Sequence, residues 1–206
     1  MSDGPPPAAP ATGSRSPHQW RLWLAGLIGS RYDGLRHFAV VDPGVLMRCG
    51  QPHVRDLERI HAERGLGCVF VARGGTRHPL RGRWFRAERR FCQQRRIRLE
   101  HVPFSDHAPP PPDIFDRFLA IVADPACRPV LVHCEQGFHR TGVLCAAYRL
   151  AVCGWSLEDA LHEMRRYGFE WEKPKRRPLY QALLAWAQAR RMPPARSADK
   201  PGIISV

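Results

Sequence analysis

The sequence predicts an α/β fold, in which a single domain has a central, mostly parallel, twisted sheet of about four or five strands with helices on both faces. Three observations support this prediction. Apolar runs of strand length alternate with longer amphipathic segments, which is the order typical of parallel sheets. The runs at 67–73 and 128–133 are apolar enough to be buried strands. Finally, 206 residues suffice for one domain with a substantial core.

Composition divides the chain into three parts. Residues 1–17 are rich in proline, alanine, serine and glycine, and we expect a disordered tail there. Residues 18–191 would form the domain, and residues 192–206 a second tail. The apolar stretch 22–29 is expected to form an amphipathic helix packed on the domain, with a signal peptide as the alternative. It is too short to span a bilayer.

Turn and capping residues set the bounds of the predicted elements. The turn Asp42-Pro43-Gly44 separates the first two strands, and Gly65 ends the first helix. Ser156, with Asp159 three residues later, forms a capping box. Strands are predicted at 37–41, 45–49, 67–73, 97–104 and 128–133. Helices are predicted at 54–64, 82–95, 113–123, 141–152, 157–168 and 178–191.

Charge and cysteine content restrict the function classes. The formal net charge of +13 suggests an anionic partner without saying which kind. Most of this charge comes from arginine, a bias that the base composition of a genome can also produce. The seven cysteines include no Cys-x2-Cys pair, so we expect neither a zinc site nor a disulfide framework. Reduced thiols indicate a cytoplasmic protein.

A cysteine followed six positions later by an arginine occurs three times, so the spacing alone identifies no site. The pairs are Cys49 and Arg55, Cys92 and Arg98, and Cys134 and Arg140. A phosphate site around a reactive thiol also needs a tight loop whose N–H groups converge on one anion, followed at once by a helix. Cys92 lies within a predicted helix, and Cys49 precedes Pro52, which has no N–H. Cys134 alone ends a strand, has Gly137 in its loop and runs directly into a helix.

Asp106 is the second candidate, in "VPFSDHAPPPP" at 102–112. It follows the strand that precedes the Cys134 strand in the chain, and the prolines 109–112 stiffen its loop. Because ligands gather beyond the carboxyl ends of parallel strands, we expect both loops at one edge of the sheet. A carboxylic acid there can protonate a leaving oxygen. The alternative is a loop residue in an Asx turn.

The segment "HCEQGFHRTG" (133–142) resembles the signature loop His-Cys-x5-Arg-Thr/Ser-Gly of the cysteine-dependent protein tyrosine phosphatases, in the dual-specificity branch. The loop "FSDHAPPPP" (104–112) is similar to the general-acid loop of that superfamily, particularly in the phosphatases of regenerating liver. "VVDPGVLMRCGQP" and "HRTGVLCAAYRL" are similar to small bacterial and to plant and fungal atypical dual-specificity phosphatases. The resemblance covers about residues 38–170 and implies a phosphoric monoester hydrolase.

The resemblance implies a role for each site residue. Cys134 would attack phosphorus and form a phosphocysteine intermediate. Arg140 would hold two phosphate oxygens, and Asp106 would act first as general acid and then as base. Thr141 would hydrogen-bond the departing thiolate, and His133 would support the loop from beneath. Backbone N–H groups would bind the other phosphate oxygens; they belong to Glu135, Gln136, Gly137, Phe138, His139 and Arg140. No metal or cofactor is implied, because the arginine and the N–H groups neutralise the charge.

The composition of this loop bears on the substrate. It contains no lysine, whereas phosphoinositide phosphatases that resemble this family carry lysines there, so that substrate is disfavoured. His139 before Arg140 matches the plant and fungal type, which the resemblance links to inositol polyphosphates as well as phosphoproteins. We expect tyrosine or dual-specificity activity on proteins that carry phosphotyrosine, phosphoserine or phosphothreonine. The alternatives are an inositol polyphosphate phosphatase and a pseudophosphatase that binds phosphorylated partners without turnover. A rhodanese-type sulfurtransferase needs neither the Arg-Thr-Gly ending nor an upstream acid.

Two basic segments concern possible partners. Arginines are dense between Arg73 and Arg98, which suggests a collar for a polyanionic substrate, a membrane-surface patch, a nucleic-acid site or a solvated helix face. Nucleic acid is not favoured, because the aromatic residues lie on the apolar stripe rather than among the arginines. The cluster at 170–178 could border the site. Cys145 and Cys153 are expected on the buried helix, out of bonding reach of Cys134.

Overall fold

The computed structural model describes residues 35–77 and 82–190. Both predicted tails, the predicted helix at 22–29 and the final residue of the last predicted helix lie outside these described residues. The proposed division of the chain into tails and one domain therefore stays a prediction.

A five-stranded sheet forms the centre of the described part, with strand order β1-β2-β5-β3-β4. Its strands are β1 (Ala39–Asp42), β2 (Leu46–Cys49), β3 (Cys68–Val71), β4 (Arg98–His101) and β5 (Val130–His133). The first two strands pair antiparallel, and every other pairing is parallel. The predicted mostly parallel sheet is confirmed. Because β5 lies at the centre and is buried over all four residues, the chain that leaves it starts from a rigid position.

All six predicted helices are present within the described residues. They are α1 (Val54–Arg64), α2 (Arg83–Arg95), α3 (Ile114–Ala123), α4 (Arg140–Ala151), α5 (Leu157–Arg166) and α6 (Arg177–Ala189). Ser156 caps α5 as predicted, since its hydroxyl oxygen accepts from the Asp159 N–H at 3.1 Å. The same hydroxyl donates to the Asp159 carboxylate at 2.9 Å, whereas the reciprocal bond of a capping box, from the Ser156 N–H to this carboxylate, stays a prediction. None of the helices in the described ranges is long and apolar enough to cross a membrane.

Helices cover both faces of the sheet, as predicted. Residues of α1 and α2, such as Leu57, Ile60 and Phe91, pack with one apolar cluster, whereas α3 to α6 contribute to the other. The first eleven residues of α4, from Arg140 to Leu150, are all buried. We therefore expect truncation of a residue such as Leu144 to alanine to cost about 3 kcal/mol of unfolding free energy. The helix that follows Cys134 is thus held on every side.

Most predicted bounds are shifted by one or two residues in the structure, and two predicted features differ further. The strand expected to reach residue 104 ends at His101. The Val102 N–H still donates to Val71 O at 3.0 Å, but Pro103 has no N–H with which to continue the ladder. The placement of Cys153 on the buried helix is wrong, because α4 ends at Ala151 and Cys153 follows it, partly exposed. Cys145 does lie within the buried helix.

Candidate active site

The loops that carry Cys134 and Asp106 meet at one edge of the sheet, as predicted. We call residues 134–139 the Cys134 loop and residues 103–108 the Asp106 loop. Arg140 Nη1 donates to Phe104 O at 3.3 Å. In addition, His139 Nδ1 lies 3.4 Å from Asp106 Oδ2. The predicted nucleophile, arginine and acid therefore belong to one cluster of side chains.

Cys134 is 1% exposed at the start of its loop, and the Gly137 N–H donates to its sulfur at 3.3 Å. Burial raises the pKa of the thiol. Three neighbours lower it more strongly, namely the positive charge of Arg140, the hydroxyl and N–H of Thr141, and the N–H of Gly137, so the pKa lies below its ordinary value. The loop thus favours the thiolate, which is the nucleophilic form.

Three successive carbonyl groups of the Cys134 loop are bound from outside it. The oxygen of Glu135 accepts from the Gln51 N–H at 3.0 Å. The oxygens of Gln136 and Gly137 accept from the His37 ring and the Arg48 guanidinium, each at 2.7 Å. Since the C=O and N–H of a planar peptide point in opposite directions, the N–H groups of these peptides face the inside of the loop. Such a concave set of N–H groups binds anions.

Gly137 is required at the middle of this loop for two reasons. Its φ is +84°, a left-handed conformation that side chains disfavour. A Cβ atom at this position would also lie 2.4 Å from the Gly50 nitrogen and 2.6 Å from the Cys49 carbonyl carbon. The loop therefore packs against the end of β2 with no room for a side chain.

Arg140 and Thr141 are the first two residues of α4, and both lower the pKa of the Cys134 thiol. Arg140 is 9% exposed and donates to Ala72 O at 3.4 Å as well as to the Asp106 loop. Within the described residues its Nε atom is buried without a hydrogen-bond partner. The guanidinium is thus fixed beside the thiol and retains a donor for an anion.

Asp106 lies among two arginines and two histidine rings. Its Oδ2 lies 2.5 Å from Arg176 Nη1, and its Oδ1 lies 3.3 Å from the His107 ring. Burial raises the pKa of Asp106, but Arg140, Arg176 and His107 lower it more, so the pKa lies below its ordinary value. Burial and the charge of Arg176 lower the pKa of His139 to about 4, which keeps this ring neutral near pH 7.

His133 lies at the end of β5 with no exposed side-chain surface, and its Nδ1 is 3.2 Å from the Cys134 carbonyl oxygen. The ring Nε2 lies 2.9 Å from Glu88 Oε1, and this carboxylate is 2% exposed. Glu88 belongs to the arginine-rich helix α2, where it points inward.

A groove of about 690 Å³ opens beside the Cys134 loop, lined by the segment after β3, the Asp106 loop, Glu135 and Arg140. Arg73 lies in this lining and is 20% exposed. It donates to Gln51 Oε1 at 3.1 Å and lies 4.5 Å from the centre of the Trp84 ring. Glu135 forms an ion pair with it at 3.3 Å. By contrast, the helix α2 has four exposed arginines, namely Arg83, Arg86, Arg89 and Arg90. These residues form the solvated helix face that was one of the interpretations of this segment.

The structure adds four functional candidates that had no individual role in the prediction from sequence. Two of them, Arg48 and Arg73, contact the Cys134 loop. Glu88 contacts His133, and Arg176 contacts the Asp106 loop. The signal for Arg176 was its place in the basic cluster at 170–178, which was expected to border the site. Within the described ranges, no three His, Cys, Asp or Glu side chains are arranged to hold a metal ion.

Comparison with protein families gives one match that covers most of the chain. The model described as "PTP-NADK: DSP-PTPase phosphatase fused to NAD+ Kinase" matches residues 46–178, which include both loops. Among curated proteins, the chain is 36% identical over 98 residues to the inositol diphosphatase SIW14 of Saccharomyces cerevisiae, covering 46% of this chain and 33% of that protein. It is 54% identical over 41 residues to the dual specificity protein phosphatase TpbA of Pseudomonas aeruginosa, covering 20% and 19%. The chain thus spans a third or less of these two relatives.

Solved structures share the fold. The catalytic core of SIW14 from S. cerevisiae in complex with citrate gives a TM-score of 0.57 at 24% identity, covering 78% of this chain and 96% of that one. Tk-PTP in its active form gives 0.58 at 20% identity, covering 73% and 96%. Together with the family match over residues 46–178, the geometry of the two loops leads to one conclusion. The chain belongs to the DSP-PTPase family of phosphatases, atypical dual-specificity members of the cysteine-dependent protein tyrosine phosphatase superfamily.

Proposed function

We propose that the protein hydrolyses phosphoric monoesters without a metal ion, through a phosphocysteine intermediate at Cys134. One observation carries the proposal. A thiol of lowered pKa lies in a loop of inward N–H groups, beside Arg140 and facing the loop of Asp106. The reaction needs a nucleophile, groups that bind the non-bridging oxygens, and a proton donor, and these elements correspond to the three.

In the first step, the Cys134 thiolate attacks phosphorus while Arg140 and the loop N–H groups bind the non-bridging oxygens. An S–P bond forms, the P–O bond to the leaving group breaks, and Asp106 gives its proton to the leaving oxygen. In the second step, the Asp106 carboxylate takes a proton from water, whose oxygen bonds to phosphorus as the P–S bond breaks. The Thr141 hydroxyl stabilises the departing thiolate, and its effect on the pKa of Cys134 supports this role.

The test is hydrolysis of p-nitrophenyl phosphate near pH 6 with a chelator present, by wild type, Cys134→Ser and Asp106→Ala. We expect wild-type turnover, no turnover with the serine variant, and weakened turnover with the alanine variant. A Cys134→Ser variant of wild-type activity would overturn the thiol mechanism. If wild type bound phosphotyrosine peptides but released no phosphate, the pseudophosphatase alternative would replace the proposal.

Phosphorylated proteins are the first substrate candidate, and the name of TpbA as a dual specificity protein phosphatase supports it. A second candidate is a polyphosphorylated small molecule, such as an inositol polyphosphate or diphosphate. It is favoured by Arg73, which lies in the same groove as Arg140 and could bind a second phosphoryl group. The relatives SIW14 and DSP1 of Oryza sativa subsp. japonica are both named inositol diphosphatases; DSP1 is 29% identical over 135 residues, 64% of this chain and 56% of that protein.

The two candidates are separated by measuring kcat/KM for a phosphotyrosine peptide and for an inositol polyphosphate. If the substrate is a polyphosphorylated small molecule, Arg73→Met should lower kcat/KM for the inositol polyphosphate about tenfold. It should leave kcat/KM for the phosphotyrosine peptide nearly unchanged. Arg83→Met, which changes an exposed arginine of α2, is the matched control. Equal losses on both substrates would remove the argument for a second phosphoryl site at Arg73.

A further inference from the structure

Arg176 anchors the Asp106 loop to the segment that precedes α6. Its Nη1 lies 2.5 Å from Asp106 Oδ2 and 3.2 Å from the carbonyl oxygen of the same residue. One guanidinium group thus fixes both the side chain and the backbone of Asp106. The Arg176 and Asp106 side chains are 18% and 21% exposed, so this ion pair is better shielded from water than an ordinary surface pair.

The oxygen that Arg176 holds is the one that faces the Cys134 loop. Asp106 Oδ2 lies 3.4 Å from the ring Nδ1 of His139, which belongs to that loop. The other oxygen, Oδ1, contacts the exposed ring of His107. Arg176 therefore does more than neutralise a carboxylate, because its position sets which oxygen of Asp106 is directed towards the candidate phosphate pocket.

We propose that Arg176 is a positioning residue for the hydrolysis, which holds the Asp106 carboxyl group against the Cys134 loop, within reach of the leaving oxygen of a bound phosphoric ester. The inference rests on the proposed function, since it concerns the proton that passes from Asp106 to the leaving oxygen as the P–O bond breaks. Arg176 acts through Asp106, and a misplaced carboxyl group would slow the step that needs this proton.

The charge of Arg176 also affects the pH at which Asp106 carries its proton. Four groups face the carboxyl group: Arg176, Arg140 of α4, His107 of the same loop and His139 of the Cys134 loop. Burial raises the pKa of Asp106, and Arg140, Arg176 and His107 bring it below the ordinary value. A general acid works in its protonated form, so its contribution is lost as pH rises through this low pKa. Without Arg176 the pKa rises, and the loss moves to higher pH.

The experiment compares Arg176→Met and Arg176→Lys with Arg177→Met, the control, in the full chain. Arg177 is the next residue and is exposed. Each variant is assayed on two substrates across a range of pH. p-Nitrophenyl phosphate has a leaving group that departs with little help. Phenyl phosphate releases a phenolate whose conjugate acid has a pKa of about 10, like that of tyrosine, and needs the proton.

Compared at the pH optimum of each enzyme, so that the shift in the pKa of Asp106 does not enter, Arg176→Met should lower kcat/KM for phenyl phosphate about tenfold or more. It should lower kcat/KM for p-nitrophenyl phosphate much less. In wild type, kcat/KM falls as the pH rises through the pKa of Asp106. In Arg176→Met, this fall should occur at a higher pH than in wild type. Arg176→Lys keeps the charge, so this fall should stay at its wild-type position, and Arg177→Met should match wild type. If Arg176→Met does not fold, Arg176→Gln replaces it with the same expectations.

Several outcomes would overturn the inference. Equal losses on both substrates with an unmoved pH profile would mean that Arg176 stabilises the fold only. A displaced profile in Arg176→Lys would also contradict it. These outcomes differ from failure of the proposed function, in which wild type turns over neither substrate or Cys134→Ser remains active. The inference alone fails if wild type is active, Cys134→Ser is inactive and Arg176→Met behaves like Arg177→Met.

Discussion

The Glu88 carboxylate lies 2.9 Å from the ring Nε2 of His133, and both side chains are buried. The opposite ring nitrogen of His133 is 3.2 Å from the carbonyl oxygen of Cys134. An acid from the arginine-rich helix α2 therefore holds the residue that precedes the candidate nucleophile. Burial lowers the pKa of His133, but Glu88 and the Cys134 carbonyl raise it above its ordinary value, so the pair favours the imidazolium form.

Glu88→Gln is expected to destabilise the protein most at acidic pH. The folded-state pKa of His133 is raised, so the stability that the pair contributes is fully present below the ordinary histidine pKa. It is lost as pH rises through the folded-state value. At pH 6 we expect a loss of roughly 2 kcal/mol in the free energy of unfolding. Urea denaturation at pH 6 and pH 9 measures the difference.

The control for this prediction is Glu63→Gln in α1, whose carboxylate is 49% exposed and 3.9 Å from Arg59. A surface pair of this kind contributes little, so its loss should be small at both pH values. A Glu88→Gln variant whose destabilisation is the same at pH 6 and pH 9 would contradict the assignment of the proton to His133.

Alkylation by iodoacetate should modify Cys134 at a pH where the other cysteines are inert. The pKa of Cys134 lies below its ordinary value. Burial raises the pKa of Cys153, the one described cysteine that is partly exposed, and raises that of Cys145 to about 11. Since the thiolate is the reacting form, we expect inactivation at pH 6, with mass spectrometry placing the label on Cys134. Inorganic phosphate should protect Cys134 from alkylation. Labelling of Cys153 before Cys134 would contradict the prediction.

The parts of the site that are contiguous in sequence were predictable, because their geometry is local. Cys134, Gly137 and Arg140 belong to one strand, loop and helix junction, and a tight turn with converging N–H groups needs this order. Asp106 was placed by a rule of topology, since the carboxyl ends of parallel strands share one edge of the sheet. Both inferences required the fold class and no knowledge of individual side-chain contacts.

The supporting residues were not predictable, because their contacts join distant parts of the chain. Arg176 lies 70 positions from Asp106, and Arg48 lies 89 positions from Gly137. In a chain with 32 lysines and arginines, no local pattern distinguishes an arginine that turns inward from one on a solvated face. Glu88 differs from these arginines, because it is the single acidic residue of α2 and is buried. An acid isolated among arginines is a local signal that could have indicated the inward face of this helix.

Gly137→Ala is expected to abolish most activity and to destabilise the fold. The new Cβ would lie 2.4 Å from the Gly50 nitrogen, so the Cys134 loop must move away from β2. We expect kcat/KM for p-nitrophenyl phosphate to fall at least about 100-fold, as for loss of an oxyanion donor, and unfolding free energy to fall about 2 kcal/mol.

Gly44→Ala is the matched control for this variant. Gly44 also has a positive φ, +72°, but a Cβ there meets no atom within 4 Å. It therefore carries the backbone strain of Gly137→Ala, about 1 kcal/mol, without the collision. Comparable losses of activity in the two variants would mean that strain, and not the contact with β2, explains the requirement for glycine.

Arg48→Met should separate activity from stability. Arg48 is 1% exposed and lies 3.7 Å from the centre of the Tyr167 ring. Its Nη2 donates to Gly137 O at 2.7 Å, whereas its Nε and Nη1 have no hydrogen-bond partner in the part of the chain that the structure describes. Unpaired buried nitrogens cost free energy, and methionine of similar length removes that cost together with the bond to Gly137. The two effects oppose each other, so we expect the unfolding free energy to change by only about 1 kcal/mol.

Activity should respond differently, because Arg48 holds the Gly137 carbonyl outward and thereby the N–H of the same peptide inward. Without it we expect kcat/KM for p-nitrophenyl phosphate to fall about tenfold or more. Arg48→Lys, which can still donate to this carbonyl, should recover part of the rate. Urea denaturation and initial rates on the same samples decide the matter. A large loss of stability with unchanged kcat/KM would show that Arg48 serves the packing of Tyr167, and that the Cys134 loop keeps its N–H groups in place by its other contacts.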